Sequence, residues 1–197
     1  MTLLSKLAWY LPLSGKLSQS YEGEDILLWR LFTELKITNG FFIDVGAFHP
    51  RQYNNTWILK NRLGFSGINI EPSKKSIRQF KRWRPKDVNL CTLIGDYDGV
   101  VYFDYNKEQP ALSKIGGSQL RGIHTLETIC KYYLVDHIDL LSIDTEGNEL
   151  QVLKGFNWYR RPKVIICEIN NQETEKFILD AGYKIYARTK LNGIYVS

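Results

Sequence analysis

Short apolar segments, each typical of a buried strand, alternate with segments of helical periodicity along most of this 197-residue chain. The strand-like segments, such as FFIDV at residues 41–45, are nearly continuous in apolar residues instead of alternating with polar ones. Strands of that kind are buried on both faces, as in a parallel sheet covered by helices. The pattern therefore predicts an α/β fold with a mostly parallel central sheet, helices on both faces and a C-terminal antiparallel hairpin.

The predicted elements fill a single domain over residues 21–197. Strands are predicted at 41–45, 66–72, 88–95, 137–144 and 163–169, and helices at 24–35, 55–64, 73–83, 125–135, 147–156 and 172–183. The closing hairpin pairs 183–187 with 193–197, and Asp98–Gly99 predicts a second hairpin. Residues 106–123 have no clear period and are expected to form a long loop.

Composition bears on partners and compartment. The net charge of +5 indicates an anionic partner without naming it. The basic residues from Lys74 to Lys86 are predicted to form a solvated helix face with Trp83 packed inward, and an RNA-binding face is the alternative. Three cysteines, none close to another in sequence, predict reduced core residues in a cytoplasmic protein.

The N-terminal segment, residues 1–20, is apolar but interrupted by Pro12, and no cleavage motif follows it. It is predicted to be a docking segment. Residues 1–17 either pack on the domain or contact a membrane surface or a partner, which would make the protein peripheral to a membrane.

Carboxylates follow every strand of the predicted parallel sheet. The carboxyl ends of parallel strands meet at one edge, where ligands bind in doubly wound folds. Acids are costly to bury without partners, so this edge calls for a cationic or hydroxyl-rich ligand, or a metal. The strand-end acids are Asp44, Glu71, Asp96, Asp144, Glu146, Glu149 and Glu168.

Two of these acids stand where a nucleoside would need them. Glu71 ends the strand that follows the one ended by Asp44, and an acid there accepts hydrogen bonds from ribose hydroxyls. Only Gly46 follows Asp44, whereas a dinucleotide pyrophosphate requires several glycines. S-adenosylmethionine fits, because it carries a ribose and a positive sulfonium but no phosphate. Asp44 suits its cationic end, Glu71 its ribose, and the Gly95–Asp96 turn its adenine.

Several segments, taken together, resemble the FkbM-type methyltransferase family over about residues 20–170: GEDILLWRLF, GFFIDVGAFHP with NNT, GFSGINIEPS, RPKDVNL, HTLETIC and LLSIDTEGNELQVLKGF with KVIICEIN. The resemblance implies a Rossmann-like class I methyltransferase fold, S-adenosylmethionine as cofactor, and methyl transfer to oxygen, often on a sugar. The predicted cofactor-binding residues are Asp44, Val45, Gly46, Asn55, Thr56, Glu71, Pro72, Gly95, Asp96 and Asp144.

The predicted reaction is O-methylation of a sugar or glycan hydroxyl, or of a glycosylated natural product. A sugar hydroxyl is a poor acid, so a base is expected, and the candidates are Asp144, Glu146, His49 and Glu168. His49 either braces its loop or lies near the transferred methyl. A divalent ion is the other way to activate the hydroxyl, and no metal site is predicted.

The acceptor is expected to meet basic residues of the predicted loop. Lys114 and Arg121 are predicted to bind a phosphate or carboxylate on the acceptor. A nucleic-acid methyltransferase and a binding module without catalysis are the alternatives. The acids at the strand ends argue against the binding module.

Overall fold

The computed structural model describes residues 18–104, 106 and 114–197, and of Lys114 only the backbone. The predicted docking contact of residues 1–17 and residues 107–113 of the predicted loop lie outside the described residues.

In chain order the described elements are α1 (Glu24–Glu34), β1 (Phe41–Val45), α2 (Trp57–Leu63), β2 (Ser66–Ile70), α3 (Lys74–Trp83), β3 (Val88–Leu90), β4 (Leu93–Gly95), β5 (Gly99–Asp104), β6 (Lys114–Ile115), β7 (Gln119–Thr125), α4 (Leu126–Tyr132), β8 (Leu140–Ile143), α5 (Glu149–Lys154), a 3₁₀ turn (Trp158–Arg160), β9 (Val164–Glu168), α6 (Gln172–Asp180), β10 (Lys184–Arg188) and β11 (Asn192–Val196).

The central sheet has the strand order β10-β11-β9-β8-β1-β2-β3. β1 pairs in parallel with β2 on one side and with β8 on the other, and the β2–β3 and β8–β9 pairs are also parallel. β11 runs antiparallel to both β9 and β10. The predicted mostly parallel sheet with a C-terminal antiparallel hairpin is confirmed.

Alternate residues of the central strands pack into two hydrophobic clusters, because successive strand side chains point to opposite faces. Ile43 and Val45 belong to the cluster that contains residues of α4, α5 and α6. Phe42 belongs to the cluster that contains residues of α1 and α2. Both faces of the sheet are therefore covered by helices, as the continuous apolar strands predicted.

A second sheet of four strands has the order β4-β7-β5-β6. β7 lies between β4 and β5, parallel to the first and antiparallel to the second. The predicted hairpin at Asp98–Gly99 is therefore wrong, because β7 separates the strands it was to join. Asp98 instead accepts hydrogen bonds from Thr125 N (3.0 Å) and Thr128 Oγ1 (2.7 Å) at the start of α4.

Two further predictions around this sheet are wrong. The predicted loop at 106–123 contains β6 and most of β7, whose residues are largely exposed and so lack an apolar pattern. The predicted strand at 88–95 divides into two, because β3 pairs with β2 while β4 pairs with β7. Cys91 lies between them and is exposed, whereas Cys130 and Cys167 are buried, and all three thiols are free.

The strand order reverses beside β1, because the chain moves outward through β2 and β3 and then returns to β8 on the other side. In doubly wound sheets such a switch point leaves a crevice at the carboxyl ends of the strands, where ligands bind. Val45 and Ile143 pair at the ends of β1 and β8. The fold therefore places a site beyond these two residues. No helix of the described residues is long and apolar enough to cross a membrane.

Candidate active site

A cavity of about 810 Å³ lies at this switch point. Its volume is that of a typical small-molecule pocket. The second sheet contributes Leu93, Ile94, Phe103 and Ile115 to its wall. The predicted site residues that line it are Val45, Gly46, Glu71, Pro72, Asp144, Glu146 and Glu168. The sheet thus brings together acids that lie about a hundred residues apart in the chain.

Gly46 allows the loops after β1 and β8 to approach each other. Its φ of +77° lies in the left-handed region that glycine adopts most readily. A Cβ at this position would meet the backbone oxygen of Asp144 far inside contact distance. The N–H groups of Gly46 and Ala47 both donate to the carbonyl of Ile70, at 3.0 and 3.1 Å. Gly46 therefore joins the ends of β1, β2 and β8 into one wall.

Glu71 presents a fixed, buried carboxylate to the cavity. Its Oε2 accepts from the Phe48 N–H and its Oε1 from the Ser73 N–H, both at 3.0 Å. Burial raises the pKa of Glu71 to about 7, although these two donors act in the opposite direction. Each carboxylate oxygen keeps a further acceptor position. The geometry suits a ligand with two neighbouring hydroxyls.

Asp44 is buried and does not line the cavity. Its Oδ2 accepts from Asn54 Nδ2 at 3.1 Å and from Thr56 Oγ1 at 3.0 Å, and Ser142 also donates to the carboxyl. Burial raises the pKa of Asp44, and the charge of Arg84 is the largest opposing effect. Asp44 therefore stabilises the wall of the cavity through hydrogen bonds on the side that faces away from the cavity. Direct contact of Asp44 or Thr56 with a cofactor stays a prediction.

Arg84 is completely buried at the centre of this network, so its predicted place on the solvated face of α3 is wrong. Its guanidinium donates to Thr56 Oγ1 (2.9 Å), Asn54 Oδ1 (3.2 Å) and Asp87 Oδ2 (2.8 Å). It also lies over the ring of Phe42, 4.9 Å from the centroid. Arg84 therefore links α3 to the loop that carries Asn54 and Thr56, and through it to Asp44.

Helical periodicity contains the signal that the sequence interpretation missed. Ile77 and Phe80 are the buried apolar residues of α3, and Arg84 follows Phe80 by one helical turn. Arg84 therefore occupies the buried position that Trp83 was expected to fill. Trp83 is exposed, and its predicted inward packing is wrong.

One end of the cavity carries three carboxyl groups that repel one another, those of Asp144, Glu146 and Glu168. Asp144 and Glu146 both line the cavity, and no described residue donates a hydrogen bond to either carboxyl. Burial, followed by the charges of Glu168, Glu146 and Glu149, raises the pKa of Asp144 well above its ordinary value. Burial and neighbouring carboxylates also raise the pKa of Glu146 and of Glu168. Protons therefore stay bound here at a higher pH than on ordinary carboxylates.

Glu149 shapes the loop that presents Asp144 and Glu146, a role that the sequence interpretation did not assign to it. Its Oε1 accepts from Thr145 N, Thr145 Oγ1 and Gly147 N, each at 2.9 Å. Glu146 has a φ of +57°, a backbone conformation that a residue with a side chain adopts only when its surroundings impose it. The loop is therefore held in one conformation by a buried acid that is the first residue of α5.

His49 braces its own loop. Its Nδ1 accepts from Arg51 N at 3.1 Å and from Gln52 N at 3.0 Å, and burial lowers its pKa. It does not line the cavity. These contacts agree with the alternative in which His49 braces its loop. A role for His49 in catalysis stays a prediction.

Three predicted cofactor residues, Asn55, Gly95 and Asp96, are also absent from the cavity lining. Gly95 is buried against Gly155, the residue that follows α5, because a Cβ on Gly155 would meet the Gly95 carbonyl. Thr92, Leu93 and Ile94 line the cavity just before the turn where Asp96 was expected to meet adenine. The predicted contacts of Asn55, Gly95 and Asp96 remain untested.

Neither of the two residues predicted to bind the acceptor is seen to line the main cavity. Arg121 lines a second cavity of about 30 Å³, which shares Pro72, Thr92 and Leu93 with the large one. Its guanidinium donates to Gln119 Oε1 at 3.0 Å. The side chain of Lys114 lies outside the described residues, so its acceptor contact stays a prediction.

Aromatic residues at the cavity were not foreseen. Tyr21, Phe48 and Tyr53 line it, with ring centroids 5.7 Å apart for Tyr21–Tyr53 and 6.3 Å for Phe48–Tyr53. Phe48 and Tyr53 both have positive φ, at 52° and 51°. The sequence carries no signal for such conformations at residues other than glycine, which is why these side chains were missed.

No group of three or more His, Cys, Asp or Glu side chains among the described residues is arranged to hold a metal ion.

The sequence matches the model of the FkbM methyltransferase domain over residues 44–185. The chain belongs to the FkbM methyltransferase family. The match runs from Asp44 at the end of β1 to β10, so it includes every strand of the parallel sheet beyond that point. The protein is a methyltransferase of this family, and its cofactor is S-adenosylmethionine.

Two solved structures are similar to this chain. A TehB-like SAM-dependent methyltransferase from Corynebacterium glutamicum is 10% identical, with 98% of this chain and 96% of that chain covered and a TM-score of 0.45. Precorrin-6y C5,15-methyltransferase from Geobacter metallireducens is 14% identical, with 93% and 88% covered and a TM-score of 0.46. No curated protein matches the sequence of this FkbM-family chain.

The residues of the cavity fit the cofactor. Glu71 would accept hydrogen bonds from the ribose hydroxyls, and the apolar wall of Ile70, Leu93 and Ile94 would face the adenine. The absence of a side chain at Gly46 leaves room for the rest of the cofactor. When bound, the cofactor supplies an electrophilic methyl group on a sulfonium. The carboxylates of Asp144, Glu146 and Glu168, at the rim of the cavity, would face that positive charge.

Proposed function

We propose that this FkbM-family methyltransferase transfers a methyl group to a hydroxyl of a sugar or glycan, or of a glycosylated natural product. The observation that supports the proposal is the pair of carboxyls on Asp144 and Glu146, which have no hydrogen-bond donor among the described residues. They share one cavity with Glu71. Acids in this state are placed to accept the proton of an acceptor hydroxyl.

Proton removal is the contribution that the chain itself makes to the chemistry. A sugar hydroxyl is a much weaker acid than water-exposed carboxylic groups, so a carboxylate base helps most when its own pKa is raised toward neutrality. Burial and like charges raise the pKa of Asp144 and Glu146 in this direction. The loop held by Glu149 also fixes their position, which favours alignment of the acceptor. Either acid is the preferred base, with Glu168 next.

The other groups at the cavity suit a carbohydrate. Carboxylate and amide side chains at Glu168 and Asn192 offer hydrogen bonds to hydroxyls, and the rings of Tyr21 and Tyr53 offer apolar faces to the C–H side of a sugar. A nucleic-acid acceptor fits this end less well, because its phosphates would approach a cluster of acids. We place the reaction in the cytoplasm, in keeping with free thiols at Cys130 and Cys167.

The proposal is tested with S-adenosylmethionine labelled with ¹³C in its methyl group. The protein is incubated with a panel of glycosides and polysaccharides and with oligoribonucleotides, and new O-methyl signals are detected by NMR. The expected result is labelling of a saccharide that falls about 100-fold or more in Asp144→Asn or Glu146→Gln. Asp136→Asn, outside the cavity lining, is the control. Labelling of the oligoribonucleotides alone would contradict the proposal.

A further inference from the structure

The outward face of α3 is strongly basic. The helix contains no acidic residue. Its exposed cations form no ion pair within the part of the chain that the structure describes, whereas Arg84 next to it is buried and paired. The exposed cations are Lys74, Lys75, Arg78, Lys81, Arg82 and, just beyond the helix, Lys86. We call these six residues the basic face.

Helical spacing puts the basic face on one side of α3. Lys74, Arg78, Lys81 and Arg82 follow one another at i, i+4, i+7 and i+8, which places them along one stripe. The other side is buried through residues such as Phe80. The cations therefore cannot turn inward to find partners. Their mutual repulsion is uncompensated until an anionic surface meets them.

A tryptophan lies at the end of this helix. Trp83 is 55% exposed, although it is the largest apolar side chain of α3. An exposed tryptophan beside lysine and arginine is typical of the interfacial zone of a lipid bilayer, where the ring enters the headgroup layer and the cations meet anionic headgroups.

The basic face continues beyond the helix toward the cavity. Burial raises the pKa of the Cys91 thiol, and the positive charges of Arg121, Lys74 and Lys81 oppose that shift, so all three cations lie around it. Arg121 and Cys91 line the small cavity that shares Pro72 with the active-site cavity. The charged surface therefore adjoins the part of the active-site cavity that Pro72, Thr92 and Leu93 line.

We propose that the basic face and Trp83 dock the protein on the surface of an anionic lipid bilayer. Polybasic attraction alone is weak and reversible, and stable attachment takes a second signal. Exposed Trp83 supplies that second signal as an apolar contact. A single-stranded RNA site would need several stacking rings along the face, whereas Trp83 is the exposed ring of α3.

The test uses the full chain and vesicles of phosphatidylcholine, with or without about a third of phosphatidylglycerol. Cosedimentation gives the partition coefficient at about 0.1 M and 0.5 M salt. The test variant is Lys74→Glu/Arg78→Glu/Lys81→Glu. The matched control, Lys154→Glu/Lys176→Glu/Lys184→Glu, makes the same change of net charge at exposed lysines on other elements. Cofactor binding and circular dichroism establish that each variant is folded, and a glutamine triple variant at the same three positions repeats the test without charge reversal.

The expected result is binding to the anionic vesicles that falls at least tenfold in the α3 variant and at least tenfold at the higher salt. The control variant keeps its partition within about threefold, and Trp83→Ala weakens binding severalfold. Equal losses in the two charge variants would overturn the proposal, since net charge alone would then act. Equal binding of neutral and anionic vesicles would also overturn it. So would binding of an RNA oligonucleotide that depends on Lys74, Arg78 and Lys81 without vesicle binding. None of these outcomes depends on the identity of the methyl acceptor.

Discussion

The backbone oxygen of Asp144 occupies the space that a Cβ on Gly46 would require. Gly46 and Asp144 follow the two strands on either side of the switch point. The position of a Cβ and that of the carbonyl oxygen are both fixed by the backbone, so no side-chain rotation could relieve the clash. Gly46 also holds a φ of +77°. The residue is therefore needed twice, for its conformation and for its lack of a side chain.

Gly46→Ala is predicted to lower the free energy of unfolding by roughly 3 kcal/mol or more, because strain in the left-handed region adds to the backbone clash. Urea denaturation measures the loss. Gly23→Ala is the matched control, since Gly23 also has positive φ but an added Cβ would meet nothing within 4 Å. It should cost only about 1 kcal/mol. Equal losses in the two variants would show that the approach of Asp144 has no energetic role.

Arg84→Met is predicted to destabilise the protein by about 3 kcal/mol or more, because it removes the buried cation of the Asp44 network and leaves Asp87 paired with Lys60 alone. Arg84→Lys should lose less, since it keeps the charge but not the planar set of donors. Without the Arg84 charge the pKa of Asp44 should rise further. A carboxyl whose pKa is raised in the folded state makes the protein less stable as pH rises above its unfolded-state pKa, so the defect of Arg84→Met should grow as pH rises above the ordinary range of an aspartate pKa. A pH-independent defect would contradict this account.

Asp144→Asn is predicted to make the cofactor-free protein more stable than wild type at pH 8, with the difference vanishing near pH 4. The folded-state pKa of Asp144 is raised, so the folded protein holds a proton that the unfolded chain releases at lower pH. Wild-type stability should therefore fall as pH rises above about 4, and the neutral asparagine removes that part of the fall. Thermal melts across this pH range measure it. A stability of the variant below wild type at pH 8 would count against repulsion among the rim acids.

The sequence predicted the sheet because its strands are buried on both faces, so nearly every residue from Phe41 to Val45 is apolar. It could not predict β7, whose exposed residues have no such pattern, or the split between β3 and β4, which only partner strands decide. Strand ends also located Glu71, Asp144 and Glu168 correctly at one cavity, because parallel topology alone brings them together.

The sequence did not indicate which strand-end acids face the cavity and which lie behind its wall. Asp44 and Glu71 both end strands, yet Glu71 faces the cavity while Asp44 is turned to Asn54, Thr56 and Ser142. Three-dimensional packing also decides that Arg84 is buried among its basic neighbours. Such differences depend on contacts between segments distant in the chain, which no local pattern records.

Calorimetric titration of S-adenosylmethionine into wild type and Glu71→Gln, at pH 8 and pH 6, tests the central claim most directly. Burial raises the pKa of Glu71 to about 7, and the ribose hydroxyls should bind its ionised form, so the wild-type affinity should weaken close to tenfold from pH 8 to pH 6. Glu71→Gln should bind at least tenfold more weakly than wild type at pH 8 and show little of this pH dependence. Glu173→Gln, an exposed acid on α6, should match wild type. Equal affinity of Glu71→Gln and wild type at pH 8 would contradict the placement of the cofactor in this cavity.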